Sequence, residues 1–190
     1  FAASANAIRN AVATGRNGLG TIVTFSSGNS RQEGDNVNYH SFGSSQHTIA
    51  VGAIDITGAI ASFSTPGAAV LVSAPGVNIY TTDRLGSAGY SGGDYTSISG
   101  TSFSSPAVAA VTALILEANP DLGYRDVQEI LAYSSRNPTA SNSGWQTNGA
   151  LNWNGGGLLV SDDYGFGLVD AHAAVRLAET WTGQSTFANL

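Results

Sequence analysis

The 190-residue sequence has no cysteine, no methionine and few charges. Without cysteine, neither a disulfide frame nor a thiolate metal site can form, although that absence alone does not fix the compartment. Charged residues make up 11% of the chain and the formal net charge is −6. This argues against a nucleic-acid or anionic-membrane partner, which would call for a basic face. No apolar run in the sequence reaches the length needed to span a bilayer. A chain that opens on Phe1 and lacks methionine is expected to be a processed product or part of something longer.

The residues that are present describe a globular protein. A hydrophobic content of 42% with 24 glycines suits one sizeable, loop-rich core. A single domain is expected over residues 1–182, with 183–190 as a tail or linker. Low charge with abundant Ser, Asn, Thr and Gly is common in secreted bacterial enzymes, so a secreted, extracellular or periplasmic location is expected.

In chain order, Ala3, Ala7, Ile8, Ala11 and Val12 fall at helical spacing, predicting a helix over 2–15 with stop signals at Gly15 and Gly18. Residues 21–25 form a β-branched strand that opens into Ser26-Ser27-Gly28-Asn29. Residues 32–45 read as a surface loop. Segments 48–54 and 69–72 read as short strands covered on both faces, with 78–82 as one more. Residues 86–93 form a turn, and 95–99 extend toward an apolar helix over 107–118. Pro120 breaks the chain before a second helix at 123–133. Residues 134–154 are loop-like, with Trp145 and Trp153 as anchors, and a last helix spans 169–180. Strands alternating with helices predict an α/β domain with a mostly parallel sheet.

The stretch Ser99-Gly100-Thr101-Ser102-Phe103-Ser104-Ser105-Pro106 feeds into the 107–118 helix and places Ser102 at a helix N-terminus. There the first-turn N–H groups lack partners and the helix dipole favours negative charge. Pro106 fits a first turn, where its missing N–H costs no hydrogen bond. Two readings of Ser102 follow: a helix cap, or a serine whose developing oxyanion the helix would stabilise. Asn29 likewise reads as an Asx turn after Gly28 or as an amide donor.

Gly100-Thr101-Ser102-Phe103-Ser104-Ser105-Pro106 resembles the nucleophile motif of the subtilisin-like serine proteases, and Val23-Thr24-Phe25-Ser26-Ser27-Gly28-Asn29 resembles their oxyanion segment. Leu116-Glu117-Ala118-Asn119-Pro120-Asp121-Leu122 and Tyr164-Gly165-Phe166-Gly167-Leu168-Val169-Asp170-Ala171 are similar to the kexin and furin branch. The resemblance implies a subtilisin-like three-layer α/β fold, incomplete here because only the C-terminal part of the catalytic domain is covered. It implies that Ser102 attacks the scissile carbonyl of a polypeptide substrate. The Ser102 N–H and the Asn29 amide would form the oxyanion hole, Ser26, Ser27 and Gly28 would line a pocket wall, and Thr101 would join the substrate site.

The family's Asp and His lie upstream of the oxyanion asparagine, and this chain contains neither motif. A complementary N-terminal segment is therefore the expected partner, and negligible proteolysis is expected of the chain alone. His40, His47 and His172 read as surface or structural residues; Asp170 and His172, two apart on a helix, would point to different sides. The resemblance calls for no organic cofactor but implies structural calcium, with Asp35 as a ligand. Thr65 stands where a further glutamate ligand is expected, and His40 where an acid of the basic-specificity pocket is expected. The competing reading is a non-catalytic remnant that binds peptides or a partner. A carbohydrate-binding module is disfavoured by the buried helix. Gly155-Gly156-Gly157, the Asp162–Asp163 pair and the aromatics Tyr39, Phe42 and Trp145 read as turn, solvated loop and loop anchors.

Overall fold

The computed structural model describes residues 2–138, 144–150 and 156–189. Trp153 and Gly155 lie outside the described residues. Helix α1 (Ala2–Thr14) leads through a 3-10 turn to strand β1 (Thr24–Ser26), followed by β2 (Ile49–Ile54) and β3 (Val70–Pro75). These three strands form a parallel sheet in the order β1-β2-β3, with Phe25 level with Ala50 and Gly52 level with Ser73. Every residue of β2 is buried, as expected for a central parallel strand covered on both faces. A hairpin of β4 (Ile79–Thr82) and β5 (Tyr95–Ile98) precedes α2 (Thr101–Ala118). Then come α3 (Tyr124–Ser134), a small pair of β6 (Gln146–Thr147) with β7 (Leu159–Val160), and α4 (Ala171–Thr180).

Helix α2 crosses all three parallel strands and packs on α4. Its Val108, Val111 and Ile115 enter one cluster with Val51 and Val72 of the sheet, Ile130 and Leu131 of α3, and Ala174 and Ala178 of α4. Each Val, Leu or Ile side chain buried there contributes about 1.5–3 kcal/mol. Contrary to the expectation that no apolar run is long enough to span a bilayer, α2 passes that test by length and composition once its start at Thr101 is included, but its inner face is built into this core.

Three sequence expectations meet a different geometry. Helix α2 begins at Thr101, so Pro106 lies in its second turn rather than its first. Its missing N–H leaves the Ser102 carbonyl without a helical partner. The 32–45 loop contains two short 3-10 turns, Arg31–Glu33 and Val37–Tyr39. Residues 184–189, within the 183–190 stretch expected as a tail or linker, lie against α3. The buried Asp126 carboxylate accepts from the N–H groups of Gly123 and Ser185 at 2.7 Å and from the Trp181 indole N–H at 3.1 Å. Gln184 Nε2 also donates to the Asp121 carbonyl. Trp145 stacks on Tyr164, the anchoring role expected of it.

Candidate active site

The start of α2 is tied to strands on both sides of it. Ser105 Oγ donates to Thr24 Oγ1 of β1 at 3.2 Å, and Ser104 Oγ donates to the carbonyl of Pro75 at the end of β3. The Gly100 N–H donates to the Gly76 carbonyl at 2.8 Å. A Cβ on Gly76 would collide with Ser104 Oγ, so the strand end and the helix start approach as closely as they do only because position 76 is glycine.

Ser102 is not the helix cap. The cap position is Gly100, which has no side chain to offer. The Thr101 N–H, an orphan donor of the first turn, instead donates to Asn29 Oδ1 at 2.9 Å, from a loop 72 residues away. Thr101 Oγ1 donates to the same Oδ1 at 2.9 Å and accepts from the Gly28 N–H at 3.3 Å. Both groups facing this atom of Asn29 are donors, so it must be the amide oxygen. That orientation leaves Nδ2 without a hydrogen bond among the described residues, 3.5 Å from where a Cβ on Gly100 would sit.

Ser102 itself is exposed. Among the described residues neither its hydroxyl nor its N–H has a hydrogen-bond partner. The first turn carries no acidic residue, so nothing within it opposes the positive end of the helix dipole. An exposed hydroxyl thus stands at a helix N-terminus with two unspent donors nearby, its own N–H and the Asn29 amide. Such a pair can hold negative charge developing on a carbonyl oxygen.

The other expected site residues divide. Ser26 is half-buried on β1, the edge strand of the parallel sheet. Gly28 has φ +111°, and a Cβ there would come within 2.8 Å of Thr65 Oγ1. Ser27 is 2% exposed, so its hydroxyl points inward rather than lining an open wall. Thr101 is fully buried, and its hydroxyl orients Asn29 instead of meeting a ligand.

Asp35 is not placed as a calcium site would need. His40 Nε2 lies 2.9 and 2.7 Å from its two oxygens. This hydrogen bond holds the Asp35 carboxyl below its ordinary value; desolvation partly offsets it and the Asn36 N–H assists. Thr65 is fully buried, with its hydroxyl used by the Ser30 N–H. No group of three His, Asp or Glu side chains that could hold a metal occurs among the described residues. Calcium needs six to eight oxygens, and these residues do not fit it.

The three histidines all lie elsewhere: His40 on Asp35, His47 between the rings of Tyr124 and Phe187, and His172 exposed on α4. The roles of Thr101 in orienting Asn29 and of Thr65 in holding its loop had no local signal, because both arise from contacts far along the chain.

The family model of the subtilases matches residues 2–167, and the chain belongs to this family. It is 37% identical over 185 residues to the dibasic-processing endoprotease of Schizosaccharomyces pombe, covering 94% of this chain and 24% of that protein. It is 35% identical over 175 residues to human proprotein convertase subtilisin/kexin type 4, covering 92% of this chain and 22% of that protein. The chain therefore spans about a quarter of the length of these relatives, which place it on the kexin side of the family. A serine protease of Aeromonas sobria, 22% identical, shares the fold with a TM-score of 0.81 over 97% of this chain and 40% of that one.

Proposed function

We propose that this chain supplies the nucleophile and oxyanion hole of a subtilase serine endopeptidase that cleaves polypeptides through an acyl-enzyme. The observation that carries the reading is the orientation of Asn29. Its oxygen is pinned by two donors of Thr101, and its amide is left facing the start of the helix that bears Ser102. Ser102 Oγ attacks the scissile carbonyl, and the carbonyl oxygen becomes an oxyanion held by the Ser102 N–H and Asn29 Nδ2. Ser26, half-buried on β1, and Gly28 beyond it line one wall of the pocket for the substrate residue that precedes the cut. A histidine to take the Ser102 proton and an aspartate to orient it come from a separate segment of the same protease.

The S. pombe relative is named for dibasic processing. A strict preference for basic residues needs carboxylates at the pocket, and His40 stands where the resemblance puts one. The reading therefore extends to polypeptides without that preference. The low-charge composition supports a location outside the cytoplasm.

Treatment of the native assembly with a fluorophosphonate, followed by peptide mapping, tests the reading. Label on Ser102, lost in Ser102→Ala, is the expected result. An unlabelled Ser102 in an assembly that contains the histidine-bearing segment would instead support a peptide-binding scaffold.

A further inference from the structure

The resemblance implies a cation near the oxyanion loop, yet the residues at those positions do not fit one. The contacts that hold the loop come from somewhere else. Residues 28–31 run alongside segment 63–65 and are strapped to it on both sides of Asn29. Ahead of Asn29, the Thr65 N–H donates to the Gly28 carbonyl at 2.9 Å. Behind it, the Ser30 N–H donates to Thr65 Oγ1 at 3.0 Å and the Arg31 N–H donates to the Phe63 carbonyl at 3.2 Å. The Arg31 guanidinium continues the strap: Nε donates to the Ser64 carbonyl at 2.8 Å, and Nη2 pairs with Asp163.

Segment 63–65 is itself anchored. Ser64 and Thr65 are fully buried. Ser64 Oγ accepts from the Ala53 N–H of β2 at 3.0 Å, and the Ala61 N–H donates to the Ala53 carbonyl at 2.9 Å. A chain of hydrogen bonds therefore runs from the central strand through Thr65 to the two residues flanking Asn29. Shifting the loop by an ångström would misplace the Asn29 amide, and a donor in an oxyanion hole acts only where the oxygen will be.

We propose that Thr65 is a positioning residue for the oxyanion amide of Asn29, and that with the Arg31–Asp163 pair it forms a brace that holds this loop without metal. Thr65 never meets substrate; it acts through Gly28 and Ser30. A threonine serves here because its backbone N–H and its hydroxyl reach opposite sides of Asn29 from one buried residue. Arg31 extends the grip to the 161–165 turn, where the Asp163 N–H also bonds Ser161 Oγ at 3.2 Å.

The activity arm of the test rests on the peptidase reading, so a second arm is independent of it. Both use the native assembly. In the first, Thr65→Val is expected to lower kcat on a peptide amide by about 10- to 100-fold with KM changed little. Thr65→Ser, which keeps the hydroxyl, is expected to recover most of that loss, and Arg31→Lys to fall between. In the second, amide hydrogen exchange at Ser30 and Arg31 is expected to quicken in Thr65→Val but not in Thr65→Ser. In the wild type it should be the same in calcium and in a chelator.

Unchanged exchange in Thr65→Val, equal losses of kcat in Thr65→Val and Thr65→Ser, or a chelator-induced rise in exchange that calcium reverses would each overturn the proposal. If fluorophosphonate fails to label Ser102 in the wild type, the peptidase reading has failed. The exchange arm then decides the brace on its own.

Discussion

Asn29 is used at one end of its side chain, where its oxygen takes the first free N–H of α2; the proposed function gives its amide, at the other end, the oxyanion. Asn29→Asp separates these functions. An aspartate keeps an oxygen for the two Thr101 donors, so the loop and helix start stay joined. It also puts a carboxylate oxygen where the amide donor was, which repels negative charge instead of accepting it. The expected outcome is a loss of kcat on the order of 10³-fold or more with a melting temperature close to wild type. Steady-state kinetics beside thermal unfolding checks this, and a variant that keeps most of its kcat would remove Asn29 from the oxyanion hole. Ser102 and Asn29 could be singled out in the sequence because each sits in a short contiguous motif. The function of Thr101 could not, since its hydroxyl acts on a residue 72 positions away. Nor could that of Thr65, 35 residues from the N–H it accepts. The inward-facing Ser27 hydroxyl and the His40 ring on Asp35 also depend on how loops fold back, which no local pattern encodes.

Among the elements, the ones read most accurately from sequence were those with a clear period or composition. The apolar runs of β2 and β3 and the helices α3 and α4 stand where the pattern put them, within a few residues, whereas the α2 core helix ends as expected but starts six residues earlier, at Thr101. The contacts of residues 184–189 were not visible in the sequence, because they come from a buried acid in α3 and from ring contacts rather than from the segment's own composition. His47 belongs to that hold. Its ring lies 5.7 Å from Phe187 and 6.1 Å from Tyr124, and its Nδ1 is buried without a partner. The Arg9 guanidinium lies over the far side of this cluster, 5.4 Å from the Phe187 ring centre. Desolvation, and then the charge of Arg9, lower the His47 pKa below its ordinary 6.5. The folded state therefore prefers neutral His47. As pH falls below 6.5 the unfolded chain takes up a proton that the folded chain resists, and stability drops until the folded pKa is passed. Thermal melts from about pH 7.5 to about 5 should show a shallower decline in His47→Phe, which keeps an aromatic ring between Tyr124 and Phe187. Parallel declines in the two proteins would mean that His47 is not linked to folding.

At the scale of the whole molecule, the surfaces left open bear on the proposal that a separate segment completes the site. Helix α1 buries only Val12, and Ala3 and Ala7 of its expected apolar stripe are exposed. On α2, Pro106, Ala107, Ala110, Ala113 and Leu114 make an exposed apolar stripe that starts beside Ser102. Among the described residues, strand β1 ends the parallel sheet with an unpaired edge. A contiguous apolar stripe next to an open strand edge is a surface made for a partner and an aggregation hazard without one. The segment expected to carry histidine and aspartate is the occupant that would satisfy both the chemistry and the packing. The 190-residue chain alone should then bind an apolar dye such as anilinonaphthalene sulfonate strongly and hydrolyse peptides negligibly, because Ser102 has no base. Adding the complementary segment should remove the dye signal and bring hydrolysis together, with a gain on the order of 10⁶-fold in kcat, the scale lost when a triad member is removed. Ala110→Asp, on the exposed stripe and away from Ser102 and Asn29, should raise the concentration of segment needed without lowering the plateau rate. Hydrolysis by the chain alone that disappears in Ser102→Ala would sink this picture, since the base would then have to lie within these 190 residues.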